Sequence, residues 1–127
     1  RELVLVRQHR YGIDAPTLEI PGGAVDPGEE PIEAALRELR EETGYGGGRV
    51  LSLGWVWANP AIQDNRVWLF AVVDCERIGE PNPDPTESIE IEHRPTTQAR
   101  QLIADGSIAH SLAVVAVQRA LLDGIID

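Results

Sequence analysis

Three glutamates, Glu38, Glu41 and Glu42, fall within five consecutive residues of a segment whose pattern predicts a helix. Glu38 and Glu42 stand four apart, one above the other on the same side of such a helix. Ile32, Ala35, Leu36, Leu39 and Thr43 recur at spacings of three and four and define the stripe predicted to be buried. At about 3.6 residues per turn, Glu42 lies close to Ala35, at the rim of that stripe rather than opposite it. A carboxylate held there needs a cation to offset its desolvation. Glu41 crowds another negative charge into the same turn, which destabilises a bare helix. On these residues alone two readings stay open. Arg37 and Arg40 can neutralise the acids as surface ion pairs. Alternatively, an oxygen-only cluster with gaps for water and phosphate can hold a hard cation such as Mg²⁺ or Mn²⁺.

The elements that must position these acids can be read around them. Residues 26–31 form a turn into the helix, with Pro31 suited to the first helical position because its missing N–H is no loss there. Gly44 is the natural stop after Thr43. Upstream, residues 3–6 and 18–20 are short strand candidates, the second ending at Pro21-Gly22-Gly23. Downstream, residues 46–48 read as a flexible connector, and residues 49–57 and 66–74 as strands broken apart at Asn59-Pro60. Residues 79–86, rich in Pro and acid, read as a loop, and residues 88–92 as a strand with one wet face. Thr96 or Thr97 is expected to cap a helix that stops at Gly106. A last helix carries Leu112, Val115, Val117 and Leu121, with Gly124 near its end. This order predicts an α/β fold, a mixed sheet flanked by helices.

Composition narrows the partners. The 127 residues suit one domain spanning the whole chain. A net charge of -10 without a basic stripe excludes a nucleic acid polymer as partner, but leaves a small anion possible where divalent cations neutralise the carboxylates. No apolar run is long enough for a bilayer, so no membrane partner is expected. The single cysteine, Cys75, has no internal partner, which fits a reducing, cytoplasmic setting. The chain opens at Arg1 without a methionine and enters an apolar run at once, so a preceding segment, including a further strand, is expected to be missing.

From Gly23, five residues lead to Glu29 and seven more to Arg37-Glu38-Leu39, followed by Arg40, Glu41-Glu42, Thr43, Gly44 and Tyr45. This resembles the box of Nudix hydrolases at every fixed residue, and so many fixed positions at fixed spacing are specific. Only the last position, usually aliphatic, differs in holding Tyr45. The resemblance implies an α/β/α sandwich with a mixed sheet and the box as a loop-helix-loop. It implies Glu38 and Glu42 as main metal ligands, Glu41 sharing or bridging, and the Gly22 carbonyl as a backbone ligand. Gly23, Glu29, Arg37 and Gly44 would be structural, Arg37 orienting neighbouring carboxylates with its planar fork. Two or three Mg²⁺ or Mn²⁺ ions would bridge the diphosphate and acidify a water that attacks one phosphorus in line.

Beyond the box the chain resembles ADP-ribose pyrophosphatases. Their catalytic glutamate sits on a loop that residues 79–88 match, which makes Glu87 the expected base, with Glu41, Glu90 and Glu92 as rivals. Pro60, fifteen residues beyond Tyr45, matches a proline that marks the group. Arg10, at the exit of the first strand, resembles a residue that contacts substrate phosphate. The residues after Pro60 depart from the group, and Gln63, Asp64 and Asn65 can instead hydrogen-bond a sugar or a base. Trp55, Trp57 and Trp68 read as core residues of strands rather than as a stacking platform. The expected reaction is hydrolysis of the pyrophosphate bond of a nucleoside diphosphate sugar, with ADP-ribose first and AMP and ribose 5-phosphate as products. The alternatives are a nucleoside triphosphate or dinucleoside polyphosphate hydrolase, and a nucleotide-sensing module without catalysis. A homodimer is expected from the same resemblance.

Overall fold

The computed structural model describes residues 1–86 and 88–127. Strand β1 (Glu2–Arg10) pairs antiparallel on one side with β2 (Ala15–Glu19), from Val6↔Glu19 to Arg10↔Ala15, and on the other with β7 (Ile89–Pro95). Strands β4 (Arg49–Trp57) and β5 (Arg66–Val73) form a second antiparallel ladder, with an irregularity between Ser52 and Gly54. The expected mixed sheet thus resolves into ladders that are antiparallel among the described residues. The reason lies in the connections. The short links between β1 and β2 and between β4 and β5 suit hairpins, whereas parallel neighbours need a long crossover.

Residues 46–48 are not wholly a connector. Tyr45–Gly46 forms β3, paired with β6 (Glu76–Arg77), because the chain returns after β5 to meet it. The expected threonine cap also differs. Thr96 opens a short 3-10 turn, Thr96–Gln98, that has no side-chain cap, and the turn runs into α2 (Ala99–Ala104). Helix α3 (Ser111–Leu122) is capped by His110, whose ring accepts the Leu112 N–H at 3.2 Å.

Helices α2 and α3 cover one side of the strands. Leu5 and Leu18 pack with Ala99, Leu102, Ile108, Ala113 and Val117, and Leu53 and Leu69 with Ala116 and Ala120. Val6, fully buried, alternates to the other side from Leu5, and helix α1 (Pro31–Thr43) lies against β1, β3 and β5. Helices on both sides of the strands make the sandwich. No helix among the described residues is long and apolar enough to cross a membrane.

Helix α1 begins with Pro31, and the Glu30 N–H at its cap donates to the Glu33 carboxylate at 3.2 Å. Its buried side differs from the predicted stripe at one end: Ala34, Leu39, Glu42 and Thr43 are buried, while Ile32 is exposed. At the other end Gly44 adopts φ 77°, ψ 4°, and its N–H donates to the Arg40 carbonyl at 2.8 Å. The Gly44 carbonyl accepts from the N–H groups of Ile78 and Gly79. A side chain at Gly44 would strike the Gly79 carbonyl. Gly44→Ala is therefore expected to destabilise the protein by about 2 kcal/mol or more, from left-handed strain plus the clash. Urea unfolding measures it, and an unchanged midpoint would show that the close approach of Gly79 is dispensable.

Candidate active site

Glu42 faces inward from the last turn of α1 and is 3% exposed. A buried carboxylate needs donors, and the Gly22 N–H supplies one at 3.2 Å to Oε2. The strand-ending Pro21-Gly22-Gly23 thus folds over the helix, and Gly23 lies so close that a Cβ there would meet the Glu38 carboxylate. That contact is a physical reason for glycine at this position.

Arg37 organises the remaining acids. Its Nε and Nη2 donate to the two oxygens of Glu29 at 2.8 and 3.0 Å, a bidentate pair. Nη1 donates to Glu38 at 2.9 Å and to Glu41 at 3.3 Å, and Nη2 also reaches the Ala24 carbonyl at 3.0 Å. Asp26 adds a contact at 3.5 Å. These bonds, Glu29's first, hold Arg37 firmly protonated. In return the Arg37 hydrogen bonds, helped by the Asp26 N–H, hold the Glu29 carboxyl down at about 2. Neutralisation by arginine is therefore half right for this helix: Arg37 performs it, and Arg40 makes no ion pair among the described residues.

The loop after β6 closes one wall. The Asn82 N–H donates to the Glu41 carbonyl at 2.6 Å, which lays residues 82–85 along the last turns of α1. Between them is a cleft of about 400 Å³ lined by Arg37, Glu38, Glu41, Asn82, Pro83, Asp84 and Pro85. Neither Asn82 nor Asp84 was singled out from sequence, and the only signal for them was the acid- and proline-rich composition of the loop. Asp84 accepts from both the N–H and the hydroxyl of Thr86, which hold its carboxyl below the usual range.

The donors in this cleft are oxygens, which suits Mg²⁺ or Mn²⁺ rather than softer ions. Among the described residues, however, no three acidic, histidine or cysteine side chains converge on one point. Arg37 draws Glu38 and Glu41 to itself while Gly22 draws Glu42. Glu38 and Glu41 line the cleft with their carboxylates on Arg37, so a cation shared by them and Glu42 requires a change of side-chain rotamers. The residues fit the ion in chemistry and need rotamer changes to fit it in geometry.

Other expected site residues lie elsewhere. Arg10 grips Glu19 in a bidentate pair at 2.8 and 2.6 Å, and Glu19 is also bonded by Thr17. Burial of Glu19 works against ionisation, yet the bonds from Arg10 and Thr17 hold its carboxyl below the usual range. Arg10 also lines a smaller cleft of about 220 Å³ with Gln8, His9, Tyr11, Thr86 and Ser88. Glu92, a rival base, is engaged by Arg7 at 3.2 Å and Arg94 at 3.0 Å, whereas Glu90 sits opposite Arg7 in the ladder. Glu87, the expected base, lies outside the described residues. Gln63 and Asn65 are exposed in the turn between β4 and β5. The tryptophans require a correction. Trp55, Trp57 and Trp68 are 36%, 45% and 42% exposed, because they alternate away from the α3 side of their strands.

The depressed Glu29 carboxyl makes the box turn acid-sensitive. Its folded value lies below the ordinary 4.5, so its stabilisation is complete above pH 4.5 and is lost as pH falls toward about 2. Glu29→Gln should lower the urea midpoint near neutral pH, and the gap from the parent should narrow across that window. A gap independent of pH would show that charge on Glu29 contributes nothing.

Comparison with known proteins agrees with this geometry. The NUDIX domain model matches residues 1–113. The chain is 40% identical over 95 residues to "Putative nudix hydrolase 2" of Caenorhabditis elegans, covering 70% of this chain and 43% of that protein. It is 28% identical over 118 residues to the ADP-ribose pyrophosphatase of Bacillus subtilis, covering 92% of this chain and 64% of that protein. It thus spans less than two thirds of the length of these curated relatives. A crystal structure described as an ADP compounds hydrolase superposes with a TM-score of 0.85 at 25% identity, covering 98% of this chain and 68% of that one. With the box glutamates, the Arg37 network and the sandwich all in place, the chain belongs to the Nudix family.

Proposed function

We propose that this protein hydrolyses the pyrophosphate bond of a nucleoside diphosphate sugar, with ADP-ribose the first candidate and AMP and ribose 5-phosphate the products. The observation that carries this reading is the set of carboxylates on the last turns of α1, facing a loop-walled cleft. The relatives named for ADP-ribose and ADP compounds support the nucleotide class.

In this reading Glu38, Glu41, Glu42 and the Gly22 carbonyl hold Mg²⁺ or Mn²⁺. When bound, such ions withdraw charge from the diphosphate and acidify a water. The protein's own part is positioning. The Gly22 N–H holds the buried Glu42 carboxylate in the last turn of α1. Arg37 binds Glu38 and Glu41 through one nitrogen and limits their mutual repulsion. Glu87 accepts the proton of the attacking water, with Glu41 the alternative. Arg10 contacts a substrate phosphate, and Gln63 and Asn65 hydrogen-bond the sugar or the base. No covalent intermediate is needed, so alignment and charge stabilisation supply the acceleration.

The test is a phosphate-release assay with Mg²⁺ or Mn²⁺, coupled to a phosphatase, over ADP-ribose, other nucleoside diphosphate sugars, dinucleotides and nucleoside triphosphates. Diphosphate sugars should be cleaved, and Glu42→Gln should lower kcat/KM by roughly a hundredfold or more. Undiminished turnover by Glu42→Gln would remove the box from the chemistry. Turnover confined to triphosphates would overturn the substrate class.

A further inference from the structure

The chain has three tryptophans, and all of them lie on one face of the β4–β5 hairpin. Successive residues of a strand point to opposite sides. Val56, Val67, Leu69 and Ala71 pack toward Ala116 and Ala120 of α3. Trp55, Trp57, Trp68 and Arg66 therefore turn the other way, to the face of these strands opposite α3. Trp55 meets Trp57 edge-on with centroids 5.0 Å apart, and Trp68 lies 6.4 Å from Trp55. The Arg66 guanidinium sits 4.5 Å from the Trp55 centroid and 5.2 Å from that of Trp57.

Two properties of this patch select its occupant. Large half-exposed aromatic rings favour a flat aromatic partner. Arg66 makes no ion pair among the described residues, although acids outnumber bases by 21 to 11 in the sequence. Its charge, held beside the Trp55 and Trp57 rings, complements an anion. A flat aromatic group attached to an anion is a nucleotide. A second copy of the chain fits less well, because a two-fold contact here brings Arg66 toward its own image between two subunits of charge -10.

We propose that Trp55, Trp57, Trp68 and Arg66 form a stacking platform for the base of the nucleotide half of the substrate. Gln63 and Asn65, in the adjoining turn, supply hydrogen bonds to it. The identity of the ligand as substrate rests on the hydrolase reading above, while the platform itself is tested separately.

Because the tryptophans all belong to the patch, tryptophan fluorescence excited beyond the tyrosine absorption reports on it alone. AMP, which holds no pyrophosphate bond to cleave, is titrated with Mg²⁺ present, against ribose 5-phosphate as the baseless control. AMP should quench saturably and ribose 5-phosphate should not. Trp57→Ala should weaken AMP binding and raise KM for ADP-ribose roughly tenfold, and Trp57→Phe should recover most of both. A circular dichroism spectrum matching the parent confirms that the variants fold. AMP affinity equal in Trp57→Ala and parent, or turnover of ADP-ribose with no quenching by AMP, overturns the platform and leaves the hydrolase reading intact. Quenching by AMP without turnover of any substrate supports the platform and overturns the hydrolase reading. A fluorescence blue shift that follows dimerisation in light scattering, with no response to AMP, assigns the face to a second copy instead.

Discussion

The guanidinium of Arg37 is the constraint on which the rest of the site depends. Five acidic side chains, Asp26, Glu29, Glu38, Glu41 and Glu42, gather around the start and end of one short helix. Without a fixed counter-charge their repulsion would open the turn before the helix and splay its last turns. Arg37 stands between the two ends of that stretch. It ties Glu29 and the Ala24 carbonyl of the turn to Glu38 and Glu41 of the helix. A lysine could supply the charge but not the planar fork that serves several oxygens at once.

The helix that carries these acids is held at both ends by backbone rather than by apolar bulk. At its start the Ala24 carbonyl of the preceding turn accepts from Arg37, and in its last turn Glu42 accepts from the Gly22 N–H. At its end the Gly44 and Glu41 carbonyls accept from Ile78, Gly79 and Asn82, so that the following loop is laced to the helix. The last carbonyls of a helix lack partners within it. Here those free acceptors bring a distant loop beside the carboxylates and so create the cleft. The strands support α1, and α2 and α3 pack against them through the two clusters of buried apolar side chains.

What could be read from the residues follows from how local each feature is. The span of α1 was legible because Pro31, the three-and-four spacing and Gly44 act within a few residues of one another. The strands β4 and β5 were legible through alternation and the turn between them. The tryptophans were misread because alternation says that two faces exist and not which one is covered; that depends on where α3 docks. The partner of Arg10 was missed for a similar reason, since Glu19 reaches it only through the β1–β2 register.

The sequence by itself determined the chemistry: a fixed pattern of glutamates, arginine and glycines, in a helix whose limits are set by neighbouring residues, within an acidic domain. Tertiary structure decided the pairing of charges and the shape of the space around them. It gave Arg37 to Glu29, Glu38 and Glu41, Arg10 to Glu19, and Glu92 to Arg7 and Arg94. It also brought Asn82 and Asp84 to the cleft and left the tryptophans facing outward. Helix limits depend on backbone preferences and nearby hydrogen bonds, which the order of residues encodes directly. Ion pairs and clefts depend on distances between segments far apart in the chain, and those distances exist only once the strands and helices have packed.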